Sequence, residues 1–163
     1  MLIRRTEKDD AQIIRDLRIA ALSDAPYAFG TKLEDVLREP FEKFISDAVR
    51  HSESDVSTSF IALSKNEPFG MIGAFFEQPS QRAFICSLWV KDTYRGGVVG
   101  SSLLRTAINW LAKRGAQECH AWVADLNSRA IKFYGTHNFL NSGIAQSLPS
   151  NPLDFEHLYV LKI

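Results

Sequence analysis

The stretch Leu88-Trp89-Val90-Lys91-Asp92-Thr93-Tyr94-Arg95-Gly96-Gly97-Val98-Val99-Gly100-Ser101-Ser102-Leu103-Leu104 constrains this chain more than any other. It begins as a β-branched and aromatic run, passes through a basic, glycine-rich turn, and enters a pattern of apolar residues at three- and four-residue spacing. A strand, turn and helix in that order leave the first helical N–H groups without intrahelical partners. The positive end of the helix dipole lies behind those groups. The product is a site for an anion, most naturally a pyrophosphate. Glycine lets the backbone approach such a ligand with no Cβ in the way, and Arg95 brings a guanidinium able to bind phosphate oxygens in pairs. A tight strand-to-helix connection in any α/β domain carries the same signature, so the turn alone does not name a ligand. Two nucleotide motifs are excluded. There is no Gly-x-x-x-x-Gly-Lys-Ser/Thr, and the glycines at 96, 97 and 100 do not make Gly-x-Gly-x-x-Gly.

Arg95-Gly96-Gly97-Val98-Val99-Gly100 resembles the Arg/Gln-x-x-Gly-x-Gly/Ala motif of the GNAT superfamily of acetyl-CoA-dependent N-acetyltransferases, with Val98 where that family usually has glycine. Downstream, Asn127-Ser128-Arg129-Ala130-Ile131-Lys132-Phe133-Tyr134-Gly135-Thr136-His137-Asn138-Phe139 resembles the same family's Asn-x-x-Ala-x-x-x-Tyr-x-x-x-Gly-Phe. A third stretch, Asp24-Ala25-Pro26-Tyr27-Ala28-Phe29-Gly30, is similar to a branch that carries Asp-Ala-Pro-x-Ala-Phe-Gly after its first helix. The departures have a physical reading. A β-branched residue is poor wherever φ is positive, so Val98 must sit at negative φ, where its N–H can still donate. Asn138, in place of glycine, tolerates the left-handed conformation that closes a helix.

Composition sets bounds. The 163 residues are of ordinary size for one domain with a full core. Nineteen basic residues balance 19 acidic ones, which argues against nucleic-acid binding by bulk electrostatics. Cys86 and Cys119 fall in predicted strands, lack metal-ligand spacing, and read as buried free thiols. No metal is expected. No charged start precedes an apolar run, and no apolar stretch reaches the roughly 18 residues of a membrane span, so the expected location is the cytoplasm, with no membrane partner.

Taken in order, Leu2–Arg5 is a predicted strand. Thr6 with Asp9 suggests a capping box before a helix carrying Ile13, Ile14, Leu17 and Ala21 on one face. Pro26 and Gly30 punctuate its end. A second helix is predicted over 40–50, with Phe41, Phe44, Ile45, Ala48 and Val49 inward and Pro40 in its first turn. Residues 51–58 read as a polar loop. Strands follow at 59–63, 69–76 and 82–90, the first two joined by a turn at Lys65-Asn66-Glu67-Pro68. The helix after the glycine-rich turn runs to Arg114 and ends at Gly115. A strand at 118–123, a helix opened by Asn127 and a strand at 155–163 complete the chain. Strands and helices mixed around a largely antiparallel sheet make an α+β fold. The resemblance makes it the GNAT acyl-CoA N-acyltransferase fold, one domain over 1–163 with a twisted sheet flanked by about four helices.

The resemblance also implies a site. Backbone groups of Leu88 and Val90 would hold the pantetheine arm of acetyl-CoA between the parting fourth and fifth strands. The N–H groups from Arg95 through Gly96, Gly97, Val98, Val99 and Gly100 to Ser101 would hold its pyrophosphate. Asn127 would contact the arm, and Arg129 and Lys132 are within a motif that faces the adenosine 3′-phosphate, although a solvated helix face explains both equally well. Tyr27, Phe29 and Glu34 would line the acceptor pocket, or the two aromatics simply fill the core. Tyr134 would protonate the leaving thiolate, a transfer from a phenol of pKa about 10 to a thiolate of about 8.5, uphill by roughly 2 kcal/mol. The alternative is that Tyr134 packs in the core beside Phe133. An alkylamine of pKa about 10.4 is only about one part in 2,500 neutral at pH 7, so a base is needed. No acid lies in 83–90, and Glu77 and His120 are the nearest options. The expected activity is acetyl transfer to a primary amine of a small molecule or peptide. An acyl-CoA-binding sensor without turnover is the other reading, and an interaction domain without a cofactor a third. The resemblance makes a homodimer a common outcome.

Overall fold

The computed structural model describes all residues from Met1 to Ile163. The strands are β1 (Leu2–Arg5), β2 (Ser57–Ser64), β3 (Glu67–Phe76), β4 (Ala83–Val90), β5 (Glu118–Ala124), β6 (Leu140–Leu148) and β7 (Asn151–Lys162). The helices are α1 (Ala11–Asp24), α2 (Leu33–Arg38), α3 (Phe41–Glu53), α4 (Val99–Ala112) and α5 (Ser128–Thr136), with 3-10 turns at Pro26–Ala28 and Asp92–Tyr94. The strands form one seven-stranded sheet in the order β1-β2-β3-β4-β5-β7-β6. Every adjacent pair is antiparallel except β4 and β5.

The two faces of the sheet bury different stripes. On one, α4 inserts Val99, Leu103, Leu104, Ala107, Trp110 and Leu111 against Phe60, Ala62, Ile72 and Ile85, and α5 adds Tyr134. On the other, α1 lays Leu17 and Ala21 on Ile61, Leu63, Met71 and Trp89. The outer side of α1 carries α2 and α3 through Ile14, Leu22, Val36, Phe44 and Ala48. At roughly 2 kcal/mol for each large apolar side chain removed from water, these stripes outweigh any local preference along the chain.

Several local expectations give way to tertiary contacts. Thr6 does not cap α1. Its hydroxyl lies 2.6 Å from Ser59 Oγ, and the helix begins at Ala11, after Asp10 has taken a forked pair from Arg4 at 2.6 and 2.9 Å. Of the predicted inner face of α3, only Phe44 and Ala48 are buried, while Phe41, Ile45 and Val49 are exposed, because the seam against α1 and β2 admits one narrow stripe. Of residues 51–58 only 54–56 form a loop, since α3 runs to Glu53 and β2 begins at Ser57. His51 extends α3 and its carbonyl accepts Arg5 Nε at 2.8 Å and Thr58 Oγ1 at 3.0 Å, tying the helix to the sheet. The β2–β3 turn is the two-residue Lys65-Asn66, both left-handed. Cys119 is buried as expected, but Cys86 is exposed. β6 was not expected at all. Six of its nine residues are polar or small, and it exists as a strand because β7 offers it a ladder.

Candidate active site

The glycine-rich turn carries free N–H groups into the start of α4, and its residues differ in what they do. Gly96 has φ of +77°, with open space where a Cβ would stand, so the residue is required by backbone conformation. Val98 sits at φ −85° and is well exposed. The N–H groups of Gly96, Gly97, Val98, Val99, Gly100 and Ser101 find no acceptor in the protein, and the first helical bond of α4 is Ser102 N–H to Val98 O at 2.9 Å. Gly100 serves packing as well, since a Cβ there would meet Phe133 of α5 at 3.3 Å.

Arg95 departs from expectation. Its Nε donates to Val90 O at 2.6 Å, and Nη2 pairs with Asp24 at the end of α1. Asp24 also accepts Trp89 Nε1 at 2.9 Å. Desolvation pushes the Asp24 carboxyl up, but the hydrogen bonds from Trp89 and Arg95 outweigh it and leave the pKa below the ordinary value. Arg95 is thus a strut between α1, β4 and the turn. Its charge is already matched by Asp24, and the unpaired donors of the turn are backbone N–H groups.

Beside the turn, β4 and β5 part. They share a single parallel pairing, Phe84 with His120, and past it the edge of β4 running through Leu88 and Val90 has no partner strand. A bulge helps open the gap. β4 spends one residue more than β3 between the Cys86 and Trp89 pairings, with Ser87 left-handed at φ 52°. Asn127 caps α5, its Oδ1 accepting Ala130 N–H at 3.1 Å, while its Nδ2 makes no hydrogen bond within the protein. Arg129 and Lys132 lie exposed on α5. Asn138 is left-handed, as expected.

Tyr134 belongs to the core cluster beside the gap, edge-on to Phe133 and Phe139. Its hydroxyl makes no hydrogen bond within the protein, and it is not sealed from solvent. Burial raises the phenol pKa well above its ordinary value, with the nearby thiols of Cys119 and Cys86 adding to the effect. Tyr134 therefore holds its proton across the physiological range.

On the opposite face of the sheet a cavity of about 260 Å³ opens beneath the 3-10 turn. Its walls include Phe29, Met71, Phe75, Phe84 and Trp122, its edge includes Cys86 and Ser87 of the bulge, and its charged residues are Arg18 and Glu156. The loop over it is pinned by Ser150 Oγ, which donates to Phe29 O at 2.5 Å. Of the three residues expected at an acceptor pocket, only Phe29 lines this cavity. Tyr27 and Glu34 are exposed elsewhere. The two candidate bases are also outside it. Glu77 lies at the far end of β3, engaged by Ser80 and Arg82 at 2.5 and 2.8 Å. His120 is buried against Phe84 with Nδ1 3.0 Å from Ala83 O. Neither is brought together with Tyr134.

Glu156 was missed. It lies on β7 in register with Ala124 and Gln146, only 7% exposed. The signal was present, since period-two alternation places it on the same face as Leu158 and Val160 of an inner strand. Gln146 Nε2 donates to its Oε1 at 2.7 Å. Oε2 has no protein partner and is not sealed. Desolvation raises its pKa, against the smaller opposing effect of the Gln146 hydrogen bond.

Comparison with known proteins agrees with this geometry. The chain resembles an acetyltransferase of the GNAT family from Streptococcus pneumoniae, with 19% identity, TM-score 0.82, and 99% of each chain covered. It also resembles the PaiA N-acetyltransferase from Thermoplasma acidophilum solved with coenzyme A, with 21% identity, TM-score 0.78, and 99% and 98% covered. A candidate streptothricin acetyltransferase from Bacillus anthracis, solved with acetyl coenzyme A, shares 22% identity over 71% of this chain and 67% of its own, with TM-score 0.63. No curated protein matches by sequence. The sequence model of the acetyltransferase (GNAT) family matches residues 16–139, from α1 through the glycine-rich turn to the end of the α5 motif. The chain belongs to the GNAT acetyltransferase family.

Proposed function

We propose that the protein transfers the acetyl group of acetyl-CoA to a primary amine of a small molecule or peptide by direct attack, with Tyr134 as general acid. The observation that carries this reading is the row of unpaired N–H groups from Gly96 to Ser101 beside the parting of β4 and β5. A diphosphate fits such a row, because each oxygen meets a donor and the dipole of α4 adds to the attraction. That two neighbours of the same fold hold coenzyme A or acetyl coenzyme A supports the same co-substrate.

The chain's residues then have defined tasks. The edge of β4 at Leu88 and Val90 orients the pantetheine arm. The neutral amine attacks the thioester carbon, so that a C–N bond forms and the C–S bond breaks. Tyr134 gives its proton to the departing thiolate, the nitrogen sheds its surplus proton, and the phenol is reprotonated from solvent. Equal numbers of acidic and basic residues favour neither a polyanionic nor a polycationic partner.

Calorimetric titration with acetyl-CoA beside one with adenosine diphosphate, followed by thiol release with a panel of amines, tests the proposal. Binding with amine-dependent thiol release is expected. Absence of acetyl-CoA binding would overturn it, and binding without turnover of any amine would point to a sensor.

A further inference from the structure

The acceptor half of the reaction lacks a base at Glu77 or His120, and the cavity supplies another carboxylate. Resting on the acetyl-transfer reading, we propose that Glu156 receives the acceptor's ammonium group and takes its proton, and that the cavity it faces selects a compact monoamine with an apolar body.

Four observations lead there. Glu156 is the only acidic residue on the cavity, with one oxygen held by Gln146 and the other free. The same cavity reaches Cys86 and Ser87 at the bulge of β4, next to the gap where the thioester would lie. Most of the remaining wall is apolar, with Phe29, Phe75, Phe84 and Trp122 able to flank a hydrocarbon or aromatic group. The other charge is Arg18, tied to Glu39 at 3.3 Å and standing over the ring of Phe44. A second ammonium would meet that guanidinium with no further carboxylate to balance it, and burying an unpaired charge is costly. A volume of about 260 Å³ lies below the roughly 300–1,000 Å³ of sites for drug-sized ligands, so the part of the acceptor that the cavity encloses is small.

The proton balance is complete. Glu156 takes one proton from the ammonium, the freed lone pair forms the C–N bond as the C–S bond breaks, Tyr134 protonates the thiolate, and the second proton lost by the nitrogen passes to solvent, from which the Tyr134 phenolate is reprotonated. Glu156 later returns its proton to water. Burial lifts the Glu156 carboxyl above the usual carboxylate range, which narrows the gap to the amine and improves a base working near neutrality. The other titratable groups on the cavity are Arg18 from α1 and Cys86 from β4, while β5 and β6 present Trp122 and Gln146.

The test compares wild type, Glu156→Gln and Gln146→Leu, using 2-phenylethylamine, spermidine and a tripeptide as acceptors in a thiol-release assay from pH 4.5 to 10. Wild type should prefer 2-phenylethylamine. Glu156→Gln, close in shape to the native side chain, should lower kcat/KM about 100-fold at pH 7. The deficit should shrink to a few-fold near pH 10, where the amine deprotonates unaided. Gln146→Leu, on an exposed edge strand, should shift the acidic limb of the wild-type kcat/KM profile upward, because it removes a hydrogen bond to the charged form. An unchanged pH profile in both variants would overturn the base assignment, and preference for spermidine or the tripeptide would overturn the substrate class. Acetyl-CoA titration of wild type and Glu156→Gln separates the two levels. Equal, tight binding leaves the transfer reading intact whatever becomes of Glu156, whereas no binding by wild type removes both.

Discussion

Tyr134→Phe removes one oxygen, and the structure specifies what should and should not change. The hydroxyl makes no hydrogen bond inside the protein, so its loss leaves no orphaned partner, and the ring keeps its edge-on contacts with Phe133 and Phe139. Stability to urea should therefore stay within about 0.5 kcal/mol. The catalytic cost is different in scale. In water the proton transfer to the thiolate is uphill by roughly 2 kcal/mol. In this core, burial raises the phenol further, and burial likewise pushes the adjacent Cys119 thiol up to about 12. A thiolate leaving into similar surroundings is raised with it, so burial leaves the gap near its value in water, a modest uphill step that an oriented donor can supply. Loss of such a donor costs about 10²- to 10³-fold in kcat, or about 2.7–4 kcal/mol in barrier. The assay is continuous thiol release at saturating acetyl-CoA, with calorimetry showing unaltered acetyl-CoA affinity. Because Tyr134 stays protonated, wild-type kcat should show no falling limb below pH 10 that vanishes in the variant. Turnover equal to wild type at every pH would refute the assignment and leave Tyr134 a core residue.

Gly96→Ala meets no atom but must hold φ near +77°, so it should cost about 1–2 kcal/mol in urea midpoint analysis and weaken acetyl-CoA binding several-fold. Gly97→Ala, in equally open space without positive φ, should stay within about 0.5 kcal/mol. Asp24→Ala strands Trp89 Nε1 and Arg95. Since Asp24 is about a third exposed, the loss should be only about 1 kcal/mol, with weaker acetyl-CoA binding as the strut to the turn fails. The folded Asp24 pKa is depressed, so this contribution is present above the unfolded carboxyl pKa and disappears as pH falls through the folded value. His51 is held down to about 4 by desolvation and then by Arg50. The folded state therefore keeps it neutral while the unfolded chain protonates from about pH 6.5. Stability should decline between about pH 6.5 and 4 in acid unfolding curves, and more gently in His51→Gln.

What the sequence determined by itself lies where the physics is local. A left-handed turn needs Gly96, the start of α4 leaves N–H groups free wherever such a turn meets a helix, and Asn138 closes α5 because its side chain tolerates positive φ. The two motifs, read together, therefore disclosed the fold and the turn whose N–H groups stay free. Tertiary structure decided everything that depends on where distant segments meet. Arg95 reads as a phosphate ligand until Asp24, from another element, claims its charge. Gly100 reads as a ligand contact until Phe133 comes against it. β6 has no strand-like composition, and β7 makes it a strand. Glu156 is unremarkable along the chain and becomes the lone acid of a cavity only when β7 is set between β5 and β6 and the 3-10 turn closes over it. Burial and charge pairing are properties of the assembled neighbourhood, and they fix which titratable groups are free to act.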